Sequence, residues 1–184
     1  MARHGETEWS KARRHTGRTD LPLTPEGEDR ARRLGARLEG LEFTRVYTSP
    51  LQRARRTAEL AGFPHAVPED LLLEYDYGEY EGVTTADIRK LRPGWELYHD
   101  GCPGGETPAQ VFERARSFVA KAEDVDGRVL AFAHGHILRA VGAAFLEQPV
   151  EFAVRLSLDT AALAFLQDGP NGRVVGFWNL APGQ

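Results

Sequence analysis

Short apolar runs alternate with longer amphipathic stretches along this chain. The runs from Phe43 to Thr48 and from Val129 to Ala133 are rich in β-branched or other apolar residues, which predicts two buried strands. A helical stripe after Thr24-Pro25 predicts a helix that ends near Gly40, because Thr is a good N-cap and Pro suits the first helical position. Four further helices are predicted: from Ser49-Pro50 to about Gly62, from Thr84 or Thr85 to Leu91, from Thr107-Pro108 to about Glu123, and from Gly135 to about Leu146.

The C-terminal region has the pattern of a hairpin. Ala161 to Leu166 and Val174 to Trp178 are predicted strands, and Gly169-Pro170-Asn171-Gly172 is the predicted turn between them. Leu180 to Gln184 is predicted to be a loose tail. Strands that alternate with helices predict an α/β layer fold with a largely parallel sheet, as a single domain over residues 1–184.

The remaining segments have weaker patterns. Ala66-Val67 is strand-like, and residues 8–23 are predicted to be a loop. Almost nothing precedes Arg3, so either the first strand is very short or the recorded chain lacks its natural start.

Composition excludes several classes of protein. The chain has 184 residues, 41% hydrophobic and 27% charged, and Cys102 is its one cysteine, so a disulfide framework is excluded. No apolar run approaches the roughly 20 residues that span a bilayer, and the N-terminus does not read as a signal peptide. These features predict a cytoplasmic protein with no membrane partner.

The charge is unevenly distributed. Residues 1–65 hold 13 Lys/Arg and 9 Asp/Glu, whereas residues 66–184 hold 10 and 18, for a net charge of −4. The positive N-terminal part indicates an anion-binding region, and the acidic total argues against nucleic acid as a partner.

The candidate chemistry begins at Arg3-His4-Gly5. Neutral imidazole is a good nucleophile near neutral pH, and an adjacent guanidinium can hold a phosphoryl oxygen. Arg53 and His134 follow two predicted strands, and ligands of open α/β sheets bind at the carboxyl ends of strands. With Glu74, from a tyrosine-rich loop, these side chains are the parts of a phosphoryl-transfer site that uses no metal.

The chain resembles the histidine phosphatase superfamily, which includes the cofactor-dependent phosphoglycerate mutases. The resemblance covers nearly the whole chain and depends on the order and spacing of several motifs: Arg3-His4-Gly5-Glu6-Thr7 with Trp9, Thr16-Gly17, Thr19-Asp20-Leu21-Pro22-Leu23-Thr24, Thr48-Ser49-Pro50-Leu51-Gln52-Arg53-Ala54-Arg55, Leu73-Glu74 with Gly78 and Glu81-Gly82, Gly105-Glu106-Thr107, and Ala133-His134-Gly135-His136. It implies a three-layer sandwich with helices on both faces of the sheet.

The resemblance also implies the roles of the site residues. His4 is the phosphoryl-accepting nucleophile, Arg3, Arg53 and His134 bind the transferred phosphate, and Glu74 is the proton donor and then the base for water. A protonated Glu74 in the first step predicts a mildly acidic optimum. The implied substrate contacts are Ser10, Thr16, Gly17, Tyr77, Gly135 and His136, and neither a metal nor a cofactor is expected. Ser10 stands where mutases of the family usually have Asn.

Some residue assignments stay open from sequence alone. Arg55 or Arg56, in the same Arg-rich helix, could replace Arg53 as the phosphate ligand. Asp76, Glu79 or Glu81 could replace Glu74. His136 either contacts substrate or only packs, and Tyr75, Tyr77 and Tyr80 either pack or form one wall of a pocket.

The reaction is predicted to be hydrolysis of a small phosphorylated sugar or acid. Family mutases usually have a longer insertion, whereas only about 32 residues separate Glu74 from Glu106. The motifs are similar to those of actinobacterial-type broad-specificity acid phosphatases and fungal sedoheptulose bisphosphatases. The rivals are a mutase, a metal-dependent hydrolase that uses His134, His136 and a carboxylate, and a non-catalytic phosphate-ester-binding protein. A homodimer is compatible with the sequence.

Overall fold

The computed structural model describes residues 1–183, which include one six-stranded sheet. Its strands are β1 (Ala2–Arg3), β2 (Arg45–Thr48), β3 (Val67–Pro68), β4 (Val129–Ala133), β5 (Leu163–Gly169) and β6 (Gly172–Leu180). Their order in the sheet is β3-β2-β4-β1-β5-β6. The first four strands pair in parallel, whereas β5 pairs antiparallel with β1, and β6 pairs antiparallel with β5. The predicted, largely parallel α/β sheet is confirmed.

Of the seven helices in residues 1–183, five begin and end close to their predicted positions. The seven are α1 (Glu8–Lys11), α2 (Pro25–Leu38), α3 (Gln52–Leu60), α4 (Thr85–Leu91), α5 (Leu97–Asp100), α6 (Pro108–Glu123) and α7 (Gly135–Phe145). The five predicted helices are α2, α3, α4, α6 and α7. Three 3₁₀ turns cover Asp70–Leu72, Gly78–Tyr80 and Val150–Arg155. The caps act as the sequence predicts, because the side chains of Thr24, Thr84 and Thr107 each accept a backbone N–H bond at a helix start.

Alternate residues of β4 belong to two apolar cores on opposite faces of the sheet. Leu130 and Phe132 pack with residues of α2 and α3, whereas Ala131 and Ala133 pack with residues of α6 and α7. This alternation follows from the two-residue repeat of a strand that is covered on both faces. The fold is thus the predicted three-layer sandwich.

Two short helices were not predicted: α1 lies in a predicted loop, and α5 lies in a segment for which no element was predicted. Within residues 8–23, α1 forms because Thr7 and Ser10 make a capping box, in which the Thr7 N–H donates to Ser10 Oγ at 2.9 Å and the Ser10 N–H donates to Thr7 Oγ1 at 3.2 Å. The second, α5, is also four residues long. A helix of one turn is too short to show an apolar stripe, so neither was predicted.

The C-terminal hairpin is longer than predicted. Its turn is Pro170-Asn171, as expected, but β5 reaches Gly169 and β6 continues to Leu180. Pro182 is buried after the strand ends and Gly183 is half-buried, whereas Ala181 is exposed, so the prediction of a loose tail is wrong for Pro182 and Gly183. The predicted tail also included Gln184, which lies outside the described residues.

The parallel register brings the ends of three strands together. Arg3 of β1 is opposite Ala133 of β4, and Thr48 of β2 is opposite Phe132. The residues that follow these strands are therefore neighbours, and the His4 N–H donates to the Ala133 carbonyl at 2.9 Å. β1 is only two residues long, which agrees with the short first strand that the sequence allowed.

Candidate active site

Two imidazoles meet where β1 and β4 end. The ring centroids of His4 and His134 are 5.1 Å apart, and both side chains are buried. Gly5 lets the loop after β1 pack against α2, because a Cβ at Gly5 would lie 2.4 Å from the Gly27 carbonyl oxygen. The glycine at position 5 therefore allows a close contact between two parts of the backbone, Gly5 and Gly27.

The contacts of His4 determine which of its nitrogens is deprotonated. Nδ1 lies 2.7 Å from the Gly5 carbonyl oxygen, which can only accept, so Nδ1 carries the proton and Nε2 has a free lone pair. Burial, with the nearby Arg53 and Arg3 guanidiniums, holds the pKa of His4 well below 6.5. The imidazole is therefore neutral and nucleophilic at Nε2 near neutral pH.

Arg53 is a fully buried cation behind His4. Its guanidinium donates to the carbonyl oxygens of Thr16, Gly17 and Thr19 at 2.9–3.0 Å, and its Nε donates to His134 Nδ1 at 3.0 Å. One side chain thus joins the loop after α1 to the end of β4. The exposed Arg55 makes none of these contacts, and Arg56 pairs with Glu28 and Glu59.

His134 has both ring nitrogens engaged. Because Nδ1 accepts from Arg53, the proton of the neutral ring is on Nε2, which lies 2.7 Å from Ser49 Oγ. Burial lowers the pKa of His134 well below 6.5, and Arg53 adds to this effect. The four buried residues His4, Ser49, Arg53 and His134 are called the inner cradle below.

Glu74 lies at the N-terminus of α7. Its Oε1 accepts the N–H groups of Tyr75 at 2.9 Å and Ile137 at 2.8 Å, and its Oε2 accepts the His136 N–H at 3.0 Å. The carboxyl group is buried, yet it faces the same cavity as His4. A helix N-terminus is a favourable place for a carboxylate, because free N–H groups point out of it.

A half-buried ion pair between Arg114 and Glu106 holds the backbone around Glu74 in place. Arg114 binds both carboxylate oxygens of Glu106 at 2.9 and 3.0 Å, and it donates to the carbonyls of Leu71, Leu73 and Glu74 at 2.5–3.3 Å. Glu106 also accepts the Asp76 N–H at 2.8 Å. Glu106 is part of a motif noted in the sequence, but Arg114 was not predicted because it is one of several arginines spread along helices.

The cavity above His4 has a volume of about 580 Å³. Of the eleven predicted site residues, eight line it: Arg3, His4, Ser10, Thr16, Glu74, Tyr77, Gly135 and His136. Arg53 and His134 lie behind His4 and do not line it. Gly17 does not line it either: its N–H donates to the Glu81 carboxylate at 3.0 Å and its carbonyl accepts from Arg53, so a substrate contact at Gly17 stays a prediction from the sequence.

Arg3 lies at the base of the cavity, against the start of α7. A Cβ at Gly135 would approach its guanidinium carbon to 3.3 Å, so glycine allows this close packing. Nη1 donates to the Leu158 carbonyl at 2.5 Å, while the buried Nε has no hydrogen-bond partner among residues 1–183. An oxygen of a bound anion would supply the missing acceptor.

Tyr77 and His136 form one side of the cavity. Tyr77 Oη lies 2.5 Å from His136 Nδ1, and burial raises the pKa of Tyr77 well above 10, so the phenol is the donor. Burial also lowers the pKa of His136 well below 6.5, so its ring is neutral and carries one proton. Because Nδ1 accepts from Tyr77, that proton is on Nε2, which is therefore a hydrogen-bond donor. Ring contacts connect this pair to His15, whose pKa burial lowers to about 4.

Several residues of the cavity were not predicted from the sequence. They are Arg13, Arg14, His15, Arg30, Thr85, Arg139, Leu158, Asp159, Thr160, Ala181 and Pro182. They come from segments that are distant along the chain and belong to no motif noted in the sequence. Only the positive charge of the N-terminal part indicated any of them in advance.

The residues that could ligate a metal are already engaged with protein groups. In residues 1–183 no three His, Cys, Asp or Glu side chains are grouped as a metal site. Both nitrogens of His134 and both oxygens of Glu74 have hydrogen-bond partners, and His136 Nδ1 is bound by Tyr77. Over the same residues, each helix is too short or too polar to cross a bilayer.

Comparison with known sequences identifies related proteins. A family model described as the histidine phosphatase superfamily, branch 1, matches residues 1–181. An acid phosphatase of Mycobacterium tuberculosis is 43% identical over 167 residues, covering 89% of this chain and 82% of that protein. A sedoheptulose 1,7-bisphosphatase of Saccharomyces cerevisiae is 37% identical over 176 residues, covering 78% of this chain and 65% of that protein, slightly less than two thirds of its length.

Solved structures share the whole fold. The product of the Mycobacterium tuberculosis open reading frame Rv3214 is 39% identical and superposes with a TM-score of 0.96, covering 99% of this chain and 96% of that one. A mycobacterial glucosyl-3-phosphoglycerate phosphatase in complex with VO3 is 27% identical, with a TM-score of 0.86 and 98% coverage of both chains. The described arrangement of strands and helices is therefore shared with these solved proteins.

Proposed function

Because the chain belongs to the histidine phosphatase superfamily, as its sequence motifs predict, we propose that it hydrolyses small phosphorylated metabolites through a phosphohistidine on His4. One observation supports this most directly. A neutral His4 faces the cavity, with its proton on Nδ1 and a free lone pair on Nε2, beside the unpartnered Nε of Arg3. These are the groups that an attack on phosphorus needs.

The proposed first step transfers the phosphoryl group to the protein. His4 Nε2 attacks phosphorus, and the bond from phosphorus to the ester oxygen breaks. A protonated Glu74, whose carboxyl faces the same cavity, donates its proton to the departing oxygen. Arg3 binds the phosphoryl oxygens directly, while Arg53 and His134 stabilise their charge from behind His4.

The proposed second step releases phosphate. The Glu74 carboxylate takes a proton from a water molecule, which attacks phosphorus and breaks the P–N bond to His4. Because the pKa of His4 lies well below 6.5, the imidazole is regenerated in its neutral form even in mildly acidic solution. This agrees with the mildly acidic optimum that the sequence predicts.

Other parts of the proposal rest on less direct support. A metal-independent reaction is favoured by the guanidiniums near His4, which supply the positive charge that a metal ion would supply. A cytoplasmic location, a single domain, a homodimer and the lack of a nucleic-acid partner stay predictions from the sequence.

Trapping the phosphoenzyme tests the proposal. After rapid mixing with a ³²P-labelled sugar phosphate, the wild-type protein should retain acid-labile label, and His4→Gln should retain none. His65→Gln, at an exposed histidine, is the matched control and should label like the wild type. Label that persists in His4→Gln would contradict the nucleophile assignment.

Two further assays separate the rival reactions. Conversion of glycerate 3-phosphate to glycerate 2-phosphate in the presence of 2,3-bisphosphoglycerate, without release of phosphate, would favour the mutase. Activity that is lost in excess chelator and restored by a divalent metal would favour the metal-dependent hydrolase. A chain that binds phosphate esters but turns over none would be the non-catalytic protein.

A further inference from the structure

We infer that the active-site cavity contains a second anion subsite, centred on Arg139, which selects phosphate esters that carry another anionic group on a short carbon skeleton. This inference rests on the proposed function and names the class of substrate. Arg139 belongs to α7, the helix that begins against Arg3, and both arginines line the cavity. One α-helical turn, about 5.4 Å, separates Gly135 from the level of Arg139.

Arg139 is held in place by uncharged groups. Its Nε donates to the Ala153 carbonyl at 2.8 Å, and its guanidinium lies over the Tyr98 ring at 5.3 Å. Tyr98 is itself fixed, because its hydroxyl donates to the His136 carbonyl at 2.9 Å. These contacts leave the Nη groups available as donors and orient a half-buried cation without neutralising it.

Positive charge in the cavity exceeds what one phosphoryl group needs. Arg13, Arg14 and Arg139 line it, and none of them has an acidic partner within 4.0 Å among residues 1–183. Arg30 also lines it but pairs with Glu26. In the proposed reaction Arg3 and Arg53 already balance the transferred phosphoryl group, so these three arginines have no anion to bind.

The acidic groups of the cavity offset only part of this positive charge. Glu74 and Asp159 are its two acidic side chains, against five arginines, Arg3, Arg13, Arg14, Arg30 and Arg139. Both carboxylates have hydrogen-bond partners elsewhere: Glu74 accepts three backbone N–H groups, and Asp159 accepts from the Asn179 amide at 3.1 Å. A substrate with a second carboxylate or phosphate would balance the remaining positive charge.

Arg13 and Arg14 add positive charge to the cavity beyond Arg139. Both side chains line the cavity, and both residues are exposed. The left-handed φ of 56° at Arg13 is an ordinary way to end a helix, since this residue follows the C-cap of α1. Arg13 and Arg14 are therefore placed to meet an anionic group that enters the cavity from solvent.

Matched pairs of substrates test the inference. Glycerate 3-phosphate and glycerol 3-phosphate differ by one carboxylate, and fructose 1,6-bisphosphate and fructose 6-phosphate differ by one phosphate. In at least one pair the wild-type protein should favour the ester with two anionic groups by roughly tenfold to a hundredfold in kcat/KM, as expected for a charge-assisted contact. The pair that shows the preference identifies the second group as carboxylate or phosphate.

Variants locate the preference. Arg139→Gln should reduce the ratio of kcat/KM within the pair by about tenfold through KM, and Arg139→Lys should retain part of it. Arg55→Gln, at an exposed arginine that does not line the cavity, should leave the ratio unchanged. A wild-type ratio near one in both pairs, or an unchanged ratio in folded Arg139→Gln, overturns the inference.

Two controls keep the outcome interpretable. If Arg139→Gln does not fold, the exposed pair Arg13→Gln/Arg14→Gln is measured instead, and the ratio should again decrease. A wild-type protein that hydrolyses all four esters through labelled His4 but with equal kcat/KM contradicts the subsite alone. One that hydrolyses none contradicts the proposed function as well.

Discussion

The inner cradle and the arginines of the outer cavity differ in how many of their polar groups are bound by the protein itself. In the cradle, the buried Arg53 donates four hydrogen bonds to protein groups, and His134 uses both of its nitrogens. On the outside, Arg13 and Arg14 are exposed, and they have no acidic partner among the described residues. We refer to Arg13, Arg14 and Arg139 as the outer arginines.

This difference separates two tasks within one cavity. Groups that stabilise a transition state act best when the protein has already oriented them, because little reorganisation is then needed during the reaction. Groups that select among substrates must keep donors free for the incoming molecule. The cradle therefore suits phosphoryl transfer common to many esters, and the outer arginines suit the choice among esters.

The largest expected effect separates the two tasks at Glu74. Glu74→Gln should slow the hydrolysis of an alkyl phosphate by about 10²- to 10⁴-fold, because an alkoxide leaving group needs a proton. With p-nitrophenyl phosphate the loss should be much smaller, because nitrophenolate leaves unprotonated. Measured kcat values for both esters provide the check, with Glu79→Gln as a control outside the cavity. Equal losses on both esters would contradict the proton-donor role.

A substitution inside the cradle should affect catalysis and stability together. Arg53→Met leaves three carbonyls and His134 Nδ1 without their donor, and it removes a cation close to His4. We expect kcat/KM to fall by about 10²- to 10³-fold and the free energy of unfolding to fall by about 3 kcal/mol or more. Urea unfolding and steady-state kinetics measure both quantities. Arg55→Met, at an exposed neighbour, should match the wild type; equal behaviour of the two variants would show that the cradle is dispensable.

A smaller effect is expected from the ion pair that positions Glu74. Arg114→Lys retains the charge but loses the planar fork that binds Glu106 and the carbonyls of residues 71–74. We expect kcat for an alkyl phosphate to decrease about tenfold with little change in KM. The decrease should be weaker for p-nitrophenyl phosphate. Arg116→Lys, exposed two residues later on α6, is the matched control. A change in KM alone would argue against positioning.

A final prediction concerns the stability of the site as pH changes. Burial lowers the pKa of His4, His15, His134 and His136 below 6.5, to about 4 for His15. Below pH 6.5 the unfolded chain therefore binds protons that the folded chain does not. The free energy of unfolding should fall as the pH drops from 6.5 to 5, and each such histidine contributes at most about 1.4 kcal/mol per pH unit.

Urea unfolding at pH 7, 6 and 5 measures this dependence. His15→Gln should flatten the decrease by the contribution of one histidine, and His65→Gln, which is exposed, should not change it. A stability that stays constant from pH 7 to 5 would mean that these imidazoles are not held neutral by burial.

Most of the helices and strands, and most of the candidate site residues, could be predicted from local sequence patterns. Thr24-Pro25 and Thr107-Pro108 predict helix starts because capping is a matter of adjacent residues. Arg3-His4 and His134-Gly135 were recognised because each motif is contiguous in the sequence, and His134 also follows a predicted strand. The one-turn helices α1 and α5 were missed because four residues are too few to show a helical period.

By itself the sequence determined where the strands and the longer helices form, which family the chain resembles, and which side chains can supply a nucleophile and positive charge. Only the tertiary structure decided that Gly17 donates to Glu81, that Arg114 supports the backbone of Glu74, and that Ala181 and Pro182 close one side of the cavity. The physical reason is the distance along the chain between the residues that interact. Helix caps and periodicity depend on neighbours within a few residues, whereas each of these contacts joins residues that are brought together only when the sheet register aligns the ends of its strands.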